Sequence, residues 1–355
     1  MINITQQLLD EAYACAASGG IIDVPHGDWE VTQKIIINTT GKVIVRGHGR
    51  LTWTCPDGGI DITYNDIHRA PEVVGLTLQT ACMSGAGNSL VITAPVVASG
   101  TDDGPLISNV NMRGFDTGFH TWDNGLKLVN CWNPIIDAFT FKGQDDATSP
   151  FIAGAGIILD RCQVPHLNNI FIWHCENAVI QLGDSFGEGF RLEGFEFVGV
   201  TNGINLYSSS AGNGSYIGAG HINAYARGIV MANRPWMTIS KCLIIKTHVS
   251  NMNWVGIEAL NCSRITIEGN QIYGQVGATG PNTGIFIYGP STEYGLLVGN
   301  RIGDFPQIGQ GIFYAIGAHH NVIMNNIGFW LAGGAIVCAG KDAGAGNVET
   351  GNYLP

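Results

Sequence analysis

The stretches IEGNQI, residues 267–272, and LVGNRI, residues 297–302, share one pattern: an apolar start, a Gly-Asn turn signal, a polar residue and an isoleucine. Related hexapeptides flank them: ISKCLI from Ile239 and VIMNNI from Val322, with LEGFEF from Leu192 and IGAGHI from Ile217 as weaker copies. A second series interleaves with the first. It is a Gly-led apolar unit at Gly203, Gly228, Gly256, Gly284, Gly311 and Gly334, with successive spacings of 25, 28, 28, 27 and 23 residues. Two registers with the same drift mean one coil of chain per repeat. A closed barrel or sandwich has no reason to repeat at this interval, whereas a solenoid coil of about three short strands requires it. The chain is therefore expected to be all-β, a single-stranded parallel β-helix. Equivalent positions stack about 4.8 Å apart, with inward Ile, Leu and Val columns. Asn270, Asn300 and Asn325 are expected in one register, their amides bonded along the stack.

The same logic reaches the N-terminus. In GGIIDVPHGDWEVTQKIIINTTGKVIVRGHG, residues 19–49, the runs GGIIDVP, EVTQKIIIN and KVIVRG are separated only by turn residues and are expected to form the first coil. Before them, residues 5–17 place Leu8, Leu9, Ala12, Tyr13, Ala16 and Ala17 at helical spacing, and Gly19-Gly20 stops the pattern. The expected organisation is a capping helix over 1–18, a β-helix over 19–340 and a C-terminal tail over 341–355.

Composition narrows the function classes. Only 13% of the 355 residues are charged, about half the usual roughly 25%, and 50 are glycine. The net charge of −11, with 17 Lys and Arg and no basic run, argues against a nucleic-acid partner. No apolar run is long enough to span a membrane. The first twenty residues carry Asp10 and Glu11 and lack the basic and apolar regions of a secretory signal. Nine cysteines at irregular spacing, with no CxxC pair, are expected as buried free thiols of a chain folded in a reducing cytoplasm. No metal or cofactor pattern is found.

The order of an amphipathic helix, Gly19-Gly20, Ile21-Ile22, Pro25, Gly27, Trp29, two strands and RGHG resembles the entry of the pectate-lyase-like right-handed β-helix superfamily. The phage tailspikes and polysaccharide depolymerases of that group are the most similar. The motif covers about the first fifty residues, and the repeat character extends it to about residue 340. The resemblance implies a carbohydrate substrate, here a bacterial capsule or lipopolysaccharide O-antigen. It also implies a homotrimer in a virion tail, acting at the bacterial surface after synthesis in the cytoplasm without a signal peptide. The fold alone does not select a reaction, because it hosts several; the expectation is a depolymerase that cleaves this polysaccharide by glycoside hydrolysis, with lyase or epimerase action on a uronate polymer as the alternative and a non-catalytic structural or glycan-binding role as a further one.

Asp145-Asp146 in GQDDAT is similar to one element of a polygalacturonase site, but the accompanying segments are absent. The acidic cluster GDSFGEGFRLEGFEF supplies Asp184, Glu188, Glu193 and Glu196 in a chain poor in charge, and glycoside cleavage usually needs two carboxylates. Aligning the repeats puts Glu196, His221, Leu243, Gln271 and Arg301 in one outward column, with Tyr225, Arg227 and Asp304 a few residues further round. His221, Tyr225, Arg227, Arg301 and Asp304 are accordingly candidate substrate-binding residues. In the lyase reading, His221, Tyr225 or Arg227 act as base and acid. Trp173 and Trp254, with Trp122 and Trp236, are candidate stacking platforms for sugar rings. A second outward column, Asn205, Val230, Glu258, Phe286, Phe313 and Ile336, is largely apolar and calls for a cover, most simply other copies of the chain.

Overall fold

The computed structural model describes residues 1–95, 103–115, 119–144, 150–183, 188–207, 214–247, 251–275, 279–305, 309–331, 336–340 and 343–354, without the side chains of 330, 338 and 339. Two compact units divide the chain, Met1–Gly183 and Asp184–Pro355. Each is a parallel β-helix, as the repeats predict. Every coil passes through three short stretches of strand, and each stretch pairs in parallel with its equivalent one coil on.

In the first unit the first sheet begins with Gly20–Val24 and Val43–Gly47, the second with Asp28–Val31 and Arg50–Trp53, and the third with Ile35–Thr39 and Ile60–Tyr64. The opening motif therefore divides differently from the sequence expectation. EVTQKIIIN supplies parts of two strands, broken at residues 32–34, and KVIVRG opens the second coil, with Ile22 against Val45. The helix is Thr5–Cys15; it buries Thr5, Leu8, Ala12 and Cys15, while Tyr13 faces solvent. Ile2–Asn3, expected within the cap, is instead a short strand on Trp29 and Glu30.

In the second unit Arg191–Tyr207 and Tyr216–Ala232 each run through all three sheets. Later coils split into separate strands. Thr238–Ser240, Thr266–Glu268, Leu296–Val298 and Val322–Met324 continue the first sheet. Leu243–Lys246, Gln271–Tyr273, Arg301–Phe305 and Ile327–Leu331 continue the second. Trp254–Leu260, Asn282–Tyr288 and Gly309–Ala315 continue the third. Residues 341–355 are not simply a tail: Val348–Thr350 pairs with Val322–Met324, and Tyr353 bridges to Ile327.

The core is three columns of branched aliphatic side chains. Leu192, Ile217, Ile239, Ile267, Leu297 and Ile323 stack in the first sheet; Ile222, Ile244, Ile272 and Ile302 in the second; Ile204, Ile229, Ile257, Ile285 and Ile312 in the third. All have no solvent exposure. Each contributes about 1.5–3 kcal/mol by burial. The glycine before each third-sheet isoleucine is forced by packing. A Cβ on Gly203, Gly228, Gly256 or Gly284 would lie 2.3–2.7 Å from both the next glycine's carbonyl oxygen and a second-sheet isoleucine methyl.

The corner between the first and second sheets has its own rule. One residue turns into the left-handed region, with φ of 51–65° at Asn109, Ala138, Asn169, Lys241, Gly269, Gly299, Asn325 and Gly351, and the next turns inward. From Gly269 onward that next residue is asparagine. Asn300 Oδ1 accepts from the backbone N–H and the amide of Asn270, at 3.1 and 3.0 Å, while its own amide donates to Ile267 O at 2.9 Å. Asn326 and Asn352 continue the ladder. The third rung is thus Asn326, not Asn325, because Asn325 takes the place of the turn glycine and points out. A second ladder, Asn321 over Asn347, serves the corner between third and first sheets. Among the described side chains eight cysteines are free, and six of them are buried. Among the described residues no helix is long and apolar enough to cross a membrane.

The ladder makes a test. Asn300→Ala should lower stability in thermal or denaturant unfolding by about 1–3 kcal/mol for each buried group left unpaired. Asn325→Gly, at a left-handed position open to solvent, should change it by less than about 1 kcal/mol. Equal losses in both would refute the assignment of rungs and turns.

Candidate functional site

The outer face of the second sheet, in the second unit, carries the densest set of polar groups among those expected from the sequence. Backbone register places Glu196 beside His221, His221 beside Leu243, Leu243 beside Gln271 and Gln271 beside Arg301. The side chains stand outward because the alternate residues, Phe197, Ile222, Ile244, Ile272 and Ile302, fill the core. Two residues further on, Asn223, Ile245, Tyr273 and Gly303 form a parallel column.

His221 is half-buried, and its Nε2 is shut from solvent without a hydrogen-bond partner; Asn223 Oδ1 is in the same state. Burial pushes the His221 imidazole below its ordinary range, and the Glu196 carboxylate on the preceding coil pulls it partly back. The ring is therefore neutral at neutral pH, so one of its two nitrogens holds the lone pair that a general base needs. Further along the strip, Arg301 lies over the Phe329 ring, 5.6 Å from its centre, and Tyr273 meets the same ring at 6.0 Å. The Tyr273 phenol is raised by burial, lowered by Arg301 and raised again by Asp304, and it donates to Gln271 Oε1. Asp304 is exposed, at a left-handed turn with φ 54°. Together these groups offer a cation, hydrogen-bonding groups and two tilted rings, a combination suited to an anionic sugar.

Other candidates fall elsewhere. Glu193 is on the first sheet, before the corner at Gly194, and its carboxylate is paired with Arg191 at 3.2 Å. Glu188 is exposed in a turn. Asp184 lies outside the described residues, as do Asp145 and Asp146. Tyr225 is 5% exposed, enclosed in the bend between second and third sheets, so it does not present its ring on the strip. Trp254, 1% exposed, packs edge-on against Phe305 at 6.0 Å and is a core group, not a stacking platform. Trp122 is likewise buried, against Trp53. Trp173, half-buried beside Phe171, belongs to the first unit. Trp236 is open to solvent, with Arg264 over its face at 4.6 Å.

Arg227 is on the third sheet, where its Nε donates to Glu258 at 2.8 Å; Tyr288 donates to the other Glu258 oxygen at 2.9 Å. Burial, then Glu258, push the Tyr288 phenol up to about 12. Both carboxylate oxygens are thus engaged within the sheet. Phe286 stacks on Tyr288 at 4.5 Å and on Phe313 at 5.3 Å, so part of the expected apolar column is present. Its last member is not Ile336: Phe313 pairs with Cys338, and Ile336 instead approaches Gly328 and Gly311. The first unit adds a polar cleft of about 380 Å³ lined by Asp23, Arg46, His48 and Asn109, with Arg46 and Asp23 3.4 Å apart. The Arg227–Glu258–Tyr288 set and the Tyr273–Phe329 pair were not singled out from the sequence, although the column alignment would have placed Tyr273 two residues from Gln271.

Residues 227–335 match the family model for the right handed beta helix region. That stretch is a right-handed β-helix. No curated protein matches the chain. Among solved structures it is similar to the A-module of the Azotobacter vinelandii mannuronan C-5 epimerase AlgE4, with 16% identity over 99% of this chain and 94% of that one and a TM-score of 0.66. It is also similar to the catalytic domain of a GH87 alpha-1,3-glucanase, 12% identical over 98% of this chain and 67% of that one, with a TM-score of 0.54. The enzymatically active domain of bacteriophage CBA120 tailspike protein 2 aligns at 13% identity over 84% and 40% of the two chains, with a TM-score of 0.44. At these identities the likeness is one of fold.

The electrostatics of His221 have a definite sign. An NMR titration of its imidazole should give a midpoint below the usual value of about 6.5, and Glu196→Gln should move it lower still. Because the folded value is the depressed one, this group's contribution to stability is present above about 6.5 and is lost as the pH falls below it. A midpoint above 6.5, or an upward shift in Glu196→Gln, would contradict the described environment.

Proposed function

We propose that the protein is a polysaccharide-acting enzyme that lays its substrate along the outer second-sheet strip of the second unit, with His221 as base and Glu196 beside it. The observation that carries this reading is the half-buried, neutral imidazole beside Glu196, whose shielded Nε2 no hydrogen bond holds in place, so that a turn of the ring can bring it out to the strip. It favours chemistry at a uronate over glycoside hydrolysis. Hydrolysis calls for two facing carboxylates, and here Glu193 is tied to Arg191 on a different sheet from Glu196. A base beside C5 of a uronate takes the C5 proton. The electron pair left at C5 either forms the C4–C5 double bond as the C4–O4 bond breaks, the departing O4 taking a proton from the His221 imidazolium or from water, or it takes up a proton from water on the opposite face. Arg301, three coils from His221 and so about 14 Å along the stack, would hold the carboxylate of another residue of the polymer.

The same fold is present in a mannuronan C-5 epimerase and in an alpha-1,3-glucanase, so it admits either chemistry. Incubation with uronate polymers, followed by ultraviolet absorbance for unsaturated products and by NMR for deuterium entering C5 from D2O, separates elimination from epimerisation. His221→Ala should lower either signal by at least about 10²-fold while leaving the unfolding temperature nearly unchanged. Reducing ends released without absorbance change, at full rate in His221→Ala and lost in Glu193→Gln and Glu196→Gln, would overturn the reading in favour of a hydrolase.

A tailspike-type depolymerase of a bacterial capsule or O-antigen, trimeric on a virion, is the more specific form of the polysaccharide reading. The stacked, half-buried Phe286 and Phe313 favour a covered third-sheet face. Light scattering decides it: a particle of three 37.8 kDa chains is expected, and Phe286→Asp with Phe313→Asp should dissociate it. A wild-type monomer at micromolar concentration would exclude the trimer.

A further inference from the structure

The corner between the third and first sheets carries a cluster that the proposed chemistry does not use. Glu293 and His319 are bridged on adjacent coils, and His320 follows. One ligand atom from each lies within 4.8 Å of the other two. His319 Nε2 stands 3.1 Å from Glu293 Oε2, both side chains being about one-third exposed or less, at 27% and 33%. On the far side of the ring, His319 Nδ1 is 2.7 Å from the carbonyl oxygen of Gly317.

That second contact determines what the first can be. A carbonyl oxygen only accepts, so Nδ1 carries the hydrogen, and in a neutral imidazole Nε2 then offers a lone pair. A lone pair 3.1 Å from a carboxylate oxygen is two acceptors face to face, and only a positive species resolves it. A proton on Nε2 is one such species. A divalent cation bound by both atoms is the other, and 3.1 Å is the separation of two ligand atoms each about 2.0–2.2 Å from one metal ion at a near-tetrahedral or smaller angle. A ligand histidine whose other nitrogen donates to a backbone carbonyl is the usual arrangement at such centres. The third donor is held as well: the His320 ring stacks on Tyr294 at 5.5 Å and 13°, and meets the His319 ring at 4.9 Å.

We infer that Glu293, His319 and His320 form a binding site for a divalent transition-metal ion of the zinc type, joining two successive coils at their outer corner. Two imidazoles and one carboxylate suit zinc or nickel over calcium or magnesium, which prefer oxygen donors. The sequence expectation holds no metal here. The site escaped that reading because its three donors come from two coils and show no ligand spacing along the chain.

The test uses the whole chain, treated with chelator and dialysed, then titrated with zinc chloride near neutral pH by calorimetry, with unfolding temperature followed in parallel. One zinc ion per chain is expected to bind through these residues and to raise the unfolding temperature. His320→Ala, at an exposed ring, should weaken that binding by about tenfold or more. Glu293→Gln separates metal from proton, because an amide N–H can donate to His319 Nε2 and keep the contact. In that variant the metal-free unfolding temperature should be retained while zinc binding and its stabilisation are lost. No stoichiometric binding by the wild type, or binding unchanged in both variants, would overturn the site and leave the pair as a protonated histidine on a carboxylate.

Discussion

A glycine pressed against an isoleucine sets the cross-section of this molecule's second unit. At Gly203, Gly228, Gly256 and Gly284 the third-sheet glycine meets a second-sheet isoleucine methyl and the next glycine's carbonyl so closely that no Cβ can be inserted. The two sheets can then share one narrow core, and every coil must bring glycine back to the same place. The interval between those glycines is the repeat period, which is why a packing requirement is readable as a spacing in the chain. The aliphatic columns follow from it, since a cross-section held constant can be filled by the same side chain at each level.

What a constant cross-section fixes inside, it also fixes outside. The Glu196–His221–Leu243–Gln271–Arg301 column was legible from sequence because it needs only the parity of a strand next to a known inward residue. The same parity failed at bends. Tyr225 follows the second-sheet strand into a region where the pairing of Arg191–Tyr207 with Tyr216–Ala232 shifts register twice, and the ring is enclosed. Trp254, at the start of a third-sheet strand, covers the space beside Gly256. Corner residues were legible as to composition but not as to phase. Asn can serve either as the left-handed turn or as the inward rung, and in Asn325-Asn326 the two uses adjoin.

Charge is distributed with similar economy. A well-enclosed ion pair of the second unit, Arg227 with Glu258, is completed by the Tyr288 hydroxyl, so both carboxylate oxygens are satisfied. A sheet position that would otherwise place an unpaired acid among Phe286, Phe313 and Tyr288 is thereby made tolerable, since a half-buried charge left alone costs several kcal/mol. The pairing spans adjacent coils, and residues 31 apart in sequence show no local motif that could announce it.

The cysteines carry a consequence of a chemical kind. Burial holds the Cys242 thiol up to about 12 and the Cys262 thiol up to about 11, and it raises Cys162 and Cys175 as well. Disulfide exchange and peroxide oxidation proceed through the thiolate, and these sulfurs form almost none while the coils stay closed. At these four positions the core sulfur can therefore pass from a reducing to an oxidising medium unchanged, its durability set by how seldom a coil opens.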